Sequence, residues 1–163
     1  MKLDQIIDSL ILEIYPLMPS TGTWPFTMVR VERNNLRGME QLPQFYASSG
    51  LLILQRTDFL EEHLVDYARG AKEYGNLSSE QRLEYLEKHR KQHESKEKLK
   101  EWVDRITSLA IGLISQVAIQ KGLHLNPIGV DFSVVDTYLK LKSKNLKTYQ
   151  LFDIYQIDPS SFG

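Results

Sequence analysis

The sequence predicts an α+β fold in which a small, mostly antiparallel sheet is covered by helices, and three observations carry that prediction. From Leu99 to Ala118 the apolar residues Leu99, Trp102, Val103, Ile106, Leu109, Ala110, Leu113, Ile114, Val117 and Ala118 recur at three-and-four spacing, which puts them on one side of a helix. FTMVRVER (26–33) and IGVDFSVV (128–135) alternate with the period of two of a half-buried strand. The element types come in runs, helix then strands, helices then strands, as an α+β domain requires. Strands are expected near 26–33, 51–57, 128–135, 137–142 and 148–157, and helices near 2–15, 59–74 and 79–121.

Each element has its own local reason. Residues 2–15 align Leu3, Ile6, Ile7, Leu10, Ile11 and Ile14 on one stripe, and Pro16 and Pro19 stop the helix. FTMVRVER follows a loop and sets Thr27, Val29 and Val31 against Met28, Arg30 and Glu32, with a turn at Asn34-Asn35. Residues 36–49 hold Gly38 and Pro43, which disfavour a central strand, beside packing residues Leu42, Phe45 and Tyr46, and read as an irregular edge segment. LLILQRT (51–57) returns antiparallel to the first strand. Asp58 with Glu61, and Ser78 with Gln81, are helix-start signals.

The first part of the long helical segment, 80–98, is polar, and Glu84-Lys88, Glu87-Lys91 and Glu94-Lys98 support it as i,i+4 pairs. An unbroken helix over 79–121 would be about 65 Å long, wider than a compact domain of this size, so the polar segment 78–98 either bends near 93–96 or projects. Gly122 ends it, and Asn126-Pro127 reads as a turn before IGVDFSVV. Leu139 and Leu141 then alternate with Lys140 and Lys142, Lys144-Asn145 turns the chain, and TYQLFDIYQI (148–157) closes a hairpin.

The chain of 163 residues is expected to form a single domain, 1–163, with a sizeable core. It has 42% hydrophobic and 25% charged residues, which argues against disorder, and its lack of cysteine excludes disulfides, thiolate metal sites and cysteine nucleophiles. With 20 basic and 21 acidic residues, net charge −1, attraction to nucleic acid or an anionic membrane must come from local patches. Asp4, Asp8 and Glu13 interrupt the apolar N-terminus, which reads as mature sequence, and the most apolar stretch, 109–119, is shorter than a membrane span. The protein is expected to be soluble, with no membrane partner.

No residue pattern carries a specific chemistry, so no catalytic, cofactor-binding or metal-binding residue is assigned and no cofactor is expected. His89 and His93 share a helix face at metal-ligand spacing, but Arg90 stands where a zinc protease has its glutamate, and a solvated face is the simpler reading. Asp131, Asp136 and Asp153 could gather around a cation in a small metal-dependent hydrolase, yet the following DTYLKLK lacks the acid-x-Lys pattern of a nuclease core. KLKSKNLK concentrates Lys140, Lys142, Lys144 and Lys147 with no acid between Thr137 and Phe152. On a hairpin these would form a basic finger for phosphate or partner contact, extended by Arg30, Arg33 and Arg37. Lysines guarding a strand edge are the competing explanation.

In element order, an opening amphipathic helix (3–14), a strand pair (27–57), helical cover (59–122) and a closing hairpin (128–157), the chain resembles the tail-terminator and neck proteins of tailed bacteriophages. That resemblance implies a non-enzymatic, ring-forming virion subunit, a homo-oligomer that contacts neighbouring assembly proteins and lines a DNA channel. The leading expectation is therefore a self-assembling structural or interaction protein, located in the virion or otherwise in the cytoplasm. A nucleic-acid-binding module with non-specific DNA contact through the basic hairpin is the alternative.

Overall fold

A computed structural model describes residues 3–14, 25–39, 49–58, 69, 72–92 and 95–157. Their elements run α1 (Leu3–Ile14), β1 (Phe26–Glu32), β2 (Ser49–Arg56), α2 (Lys72–Gly75), α3 (Ser79–Gln92), α4 (Lys96–Gln120), β3 (Leu123–Pro127), α5 (Phe132–Tyr138) and β4 (Leu146–Gln156), with 3₁₀ turns at Arg33–Leu36 and Lys142–Lys144. The α+β class predicted from sequence holds. Most of the helix expected at 59–74, and residues 40–48 of the irregular segment, lie outside the described residues.

The four strands form one sheet in the order β1-β2-β4-β3, every neighbour antiparallel. Central β2 is buried along nearly its whole length, which explains why LLIL reads as an unbroken apolar run and not an alternation: both its faces are covered. On one face Phe26, Met28, Leu51, Ile53, Phe152 and Ile154 meet Ile7, Leu10 and Ile14 of α1 and Ala110, Ile114 and Ala118 of α4. On the other, Val31, Leu52, Leu54 and Leu151 meet Leu36, Met39, Ile128, Leu141 and Val135 of α5. Each fully buried aliphatic side chain contributes about 1.5–3 kcal/mol by leaving water.

The expected helix 79–121 is two helices. Ser95 has extended backbone and its side chain accepts from the Lys98 amide at 3.1 Å, so it caps a new helix instead of continuing the old one. At the start of α3 the predicted capping box is present: the Ser78 amide donates to Gln81 Oε1 at 3.0 Å and the Gln81 amide to Ser78 Oγ at 3.3 Å. No described side chain of α3 is buried, whereas α4 buries Trp102, Val103, Thr107, Ala110, Ile114 and Ala118 and ends at Gly122 with φ +73°. By length and apolarity α4 could cross a membrane, so its packing on the sheet and α1, and not its length, assigns it to the core.

Two expected strands, 128–135 and 137–142, are absent. Asp131 accepts from the Ser133 amide at 3.0 Å and from Ser133 Oγ at 2.7 Å, starting α5. Phe132, Val135 and Leu139, which the period of two would divide between opposite faces, follow helical spacing onto the sheet. The strand paired with β4 is instead LHLNP, and the expected turn at Asn126-Pro127 is its end, opposite Asp153 and Phe152. Chain reversal occurs around Lys140 and Asn145, both with positive φ.

Candidate functional site

Charged groups collect at opposite ends of the sheet. At the end where β1 stops, Arg30 lies opposite Leu51 of β2, and its side chain is on the α1 face. Its Nε donates to Asp8 Oδ1 at 3.0 Å and its Nη1 to Glu32 Oε1 at 3.1 Å, with Asp4 Oδ2 at 3.6 Å. Asp4 Oδ1 also accepts from Ser49 Oγ at 2.6 Å. Hydrogen bonds to Asp8, and then to Glu32, raise the pKa of this guanidinium above its ordinary value. Arg30 is thus neutralised internally and is not a free contact for a ligand.

At the other end β2 finishes with Gln55, Arg56 and Thr57 beside Lys147 at the start of β4. The register shifts between Ile53 and Leu54, where β4 carries an extra residue, Tyr149, whose hydroxyl is 2.9 Å from Ser108 Oγ of α4. This end is anchored by the Arg56 amide donating to Pro25 O and the Thr57 amide donating to Asn145 O, both at 2.9 Å. The first turns of α4 pass over it and border a half-open cavity of about 440 Å³.

Leu99 and Val103 wall the cavity, and Arg56, Lys96, Lys100 and Lys147 bring cations to it. Gln55, 1% exposed, donates from Nε2 to Asp104 Oδ1 at 2.9 Å and to Thr107 Oγ1 at 3.0 Å, while Thr107 Oγ1 donates to Val103 O at 2.7 Å. That network fixes α4 against β2 and satisfies the buried amide. Arg56 grips Asp58 in two-point fashion, Nε to Oδ1 at 3.1 Å and Nη2 to Oδ2 at 3.3 Å. Lys96, Lys100 and Lys147 have no carboxylate partner among the described residues.

Of the seven basic residues singled out by sequence, only Lys147 lines this cavity. Lys140, Lys142 and Lys144 are exposed in the turn between α5 and β4, and no basic hairpin finger forms. Arg33, half-buried, and Arg37, exposed, follow β1 at the far end. The seven therefore make no single patch. Sequence reasoning missed Arg56, Lys96, Lys100 and Asp104; the i,i+4 spacing of Lys96, Lys100 and Asp104 on one helix face was the available signal.

The acids expected as an alternative metal site are used elsewhere. Asp131 caps α5, Asp136 Oδ1 accepts from the Thr148 amide at 2.7 Å, and Asp153 is fully buried in β4. Hydrogen bonds from the Ser133 hydroxyl, and then its amide, hold the Asp131 carboxyl below the usual carboxylate range. Among the described residues no three His, Asp or Glu side chains are grouped to hold a metal. The His89 backbone is in α3, and His93 lies outside the described residues. A second hollow is lined by Leu83, Glu84, Glu87, Lys88 and Lys91, all on the surface of α3.

No protein-family model matches the sequence and no curated protein is similar to it. The fold, by contrast, is shared with solved structures over almost the entire chain. A nitroreductase-like protein from Streptococcus mutans superposes with a TM-score of 0.71 at 15% identity, covering 96% of this chain and 80% of that one. A nitroreductase family protein from Streptococcus pneumoniae gives 0.65 at 19% identity, covering 97% and 82%. A candidate nitroreductase from Exiguobacterium sibiricum in complex with FMN gives 0.67 at 13% identity, covering 96% and 79%.

The chain has a nitroreductase-like fold. The resemblance to phage tail-terminator and neck proteins, and with it the ring-forming virion subunit, its assembly partners and its DNA contact, is overturned by these structures. So is the expectation of a non-enzymatic protein, while the nucleic-acid-binding and metal-hydrolase alternatives draw no support from these structures. Element order alone misled because a helix-strand-helix-strand succession fits many folds, whereas strand order and register distinguish them.

Proposed function

We propose that this chain is a flavin-dependent oxidoreductase that reduces a small organic acceptor with electrons from a nicotinamide dinucleotide. The observation that carries the reading is the fold likeness across almost the whole length to proteins described as nitroreductases, one of them bound to FMN. A further similar structure is an enone reductase, covering 96% of this chain at a TM-score of 0.62. A single likeness spanning 1–163 also supports one domain, and a cytoplasmic location goes with a dinucleotide-dependent activity.

A flavin mononucleotide needs cationic partners for its phosphate. Basic side chains with no carboxylate partner among the described residues stand at both ends of the sheet, Arg33 and Arg37 at one and Lys96, Lys100 and Lys147 at the other, so the residues present fit the anionic end of that group. Those are the side chains able to hold it. When bound, the flavin supplies reversible two-electron chemistry that no side chain of this cysteine-free chain offers. The test is to titrate the purified protein with FMN, following flavin fluorescence, and then to measure NADH and NADPH oxidation with a nitroaromatic or enone acceptor. Saturable binding with acceptor-dependent oxidation is expected; absence of both overturns the reading.

Self-association belongs to the same reading. Leu109, Gly112, Gln116 and Ile119 form an exposed stripe on α4, with Leu109 47% and Ile119 64% exposed, and nothing lies within 4 Å of where a Gly112 side chain would begin. A second copy laid against this stripe would bury apolar surface that the chain alone leaves in water. Sedimentation should show a dimer that Leu109→Glu dissociates; a monomer at all concentrations removes the idea.

A further inference from the structure

We propose that the cavity between the first turns of α4 and the β2–β4 end of the sheet binds the phosphate or diphosphate group of a small organic phosphate. The argument begins with charge. Lys96, Lys100 and Lys147 line one half-open cleft from a helix and a strand distant in sequence, the first two exposed and the third half-buried, and none has a carboxylate partner among the described residues. The acid in its lining and the one bonded to its arginine are both committed: Asp104 accepts from the buried Gln55 amide, and Asp58 is gripped by Arg56. Like charges gathered without counter-charge repel one another, and an anion seated among them relieves that repulsion while gaining charge-assisted hydrogen bonds.

The space is built and not incidental. Its floor is pinned by Gln55, whose two donors hold Asp104 and Thr107 in place, and Arg56 is immobilised by the two-point grip on Asp58. A volume of about 440 Å³ exceeds what one phosphate fills, and Leu99 and Val103 offer apolar wall to the organic part of a ligand. The cavity is separated by the length of the sheet from Arg30, where one cation is already outnumbered by carboxylates. The lysines of the exposed Lys140–Lys144 turn do not line the cavity.

Two molecules carry this chemistry in the proposed reaction, a flavin mononucleotide and a nicotinamide dinucleotide; only the naming of these sources rests on the flavin reading. The test uses the full chain and calorimetric titration with inorganic pyrophosphate at low ionic strength, where surface screening is weak. Saturable one-to-one binding is expected, and Lys100→Ser with Lys147→Ser should weaken it on the order of a hundredfold, about tenfold per lost ammonium contact. The equally charged control, Lys142→Ser with Lys144→Ser, should stay within about twofold, since neither lysine lines the cleft. Circular dichroism verifies that each variant is folded.

Competition assigns the source. Displacement of pyrophosphate by FMN but not riboflavin places the flavin phosphate here; displacement by NADPH or NADH but not nicotinamide places the dinucleotide here. Displacement by neither, no pyrophosphate binding, or equal losses in both lysine pairs overturns the proposal. If the protein fails to bind FMN anywhere yet binds pyrophosphate through Lys100 and Lys147 and releases it to NADPH or NADH, the flavin reading fails and the cavity assignment stands. If FMN binds and pyrophosphate does not, the reverse holds.

Discussion

The two ends of the sheet hold similar numbers of basic residues and use them in opposite ways. Around Arg30 the charge is consumed: Asp4, Asp8 and Glu32 surround one guanidinium, tying α1 to β1. Around Lys147 the charge is left over: three lysines line one cleft while Asp104 and Asp58 bond to Gln55 and Arg56. The first arrangement contributes to stability and can do little for a ligand. The second contributes little to stability and is suited to an anion. A count of basic residues would not separate them; what separates them is whether each charge finds its opposite inside the chain.

The comparison can be broken at its strongest point first. Gln55→Leu keeps the volume but removes the donors that bridge Asp104 and Thr107, and should cost about 2 kcal/mol in urea unfolding, because it strips hydrogen bonds from a buried junction. A neutral result would mean that α4 is held over the cavity by its apolar face alone. Arg30→Met should cost less, about 1 kcal/mol, since its partners are about half exposed and solvent screens them, and the loss should shrink in high salt. Lys100→Ser with Lys147→Ser should change stability by no more than about 0.5 kcal/mol, with any change in the stabilising direction as repulsion is relieved. A clear destabilisation would show that these lysines have partners inside the protein.

The smallest expected effect is a pH dependence at α5. Asp131 is held below the usual carboxylate range because it accepts hydrogen bonds from Ser133. A depressed carboxyl stabilises the fold fully above its unfolded pKa, and the contribution is lost as pH falls through the lower, folded value. The α5 cap should therefore persist at neutral and mildly acidic pH and weaken only below the ordinary carboxylate range. Asp131→Asn, which retains an acceptor without the titration, should flatten this acid limb in a series of thermal melts.

Much of the fold was legible because its signals are local. The α1 stripe, the capping box at Ser78, the stop at Gly122 and the apolar run of β2 each lie within a few residues of chain, and each stands where the residues place it. The misreadings have physical reasons too. Thr107 was passed over because its hydroxyl looks polar, yet it donates to Val103 O within its own helix and is buried, while Leu109 fits the apolar spacing and is exposed. At 128–135 the alternation read as a strand because Phe132 and Val134 fit it, and only contact with the sheet shows the helix that Asp131 caps.

The candidate site was less legible still. Lys147 was singled out within a run of lysines, but its companions in that run point to solvent, and its companions in space, Lys96 and Lys100, are some fifty residues away. Nothing in a linear pattern states that Asp58 and Asp104 will be occupied by Arg56 and Gln55.

By itself the sequence determined the secondary-structure class, the core helix and the apolar strand at 51–57, since helix caps and hydrophobic period act over one or two turns. Only the tertiary structure decided the strand order, the helical identity of 132–138 and which charges remain unpaired. Those outcomes depend on contacts between residues far apart in the chain, whose pairing follows from the closed packing of three layers.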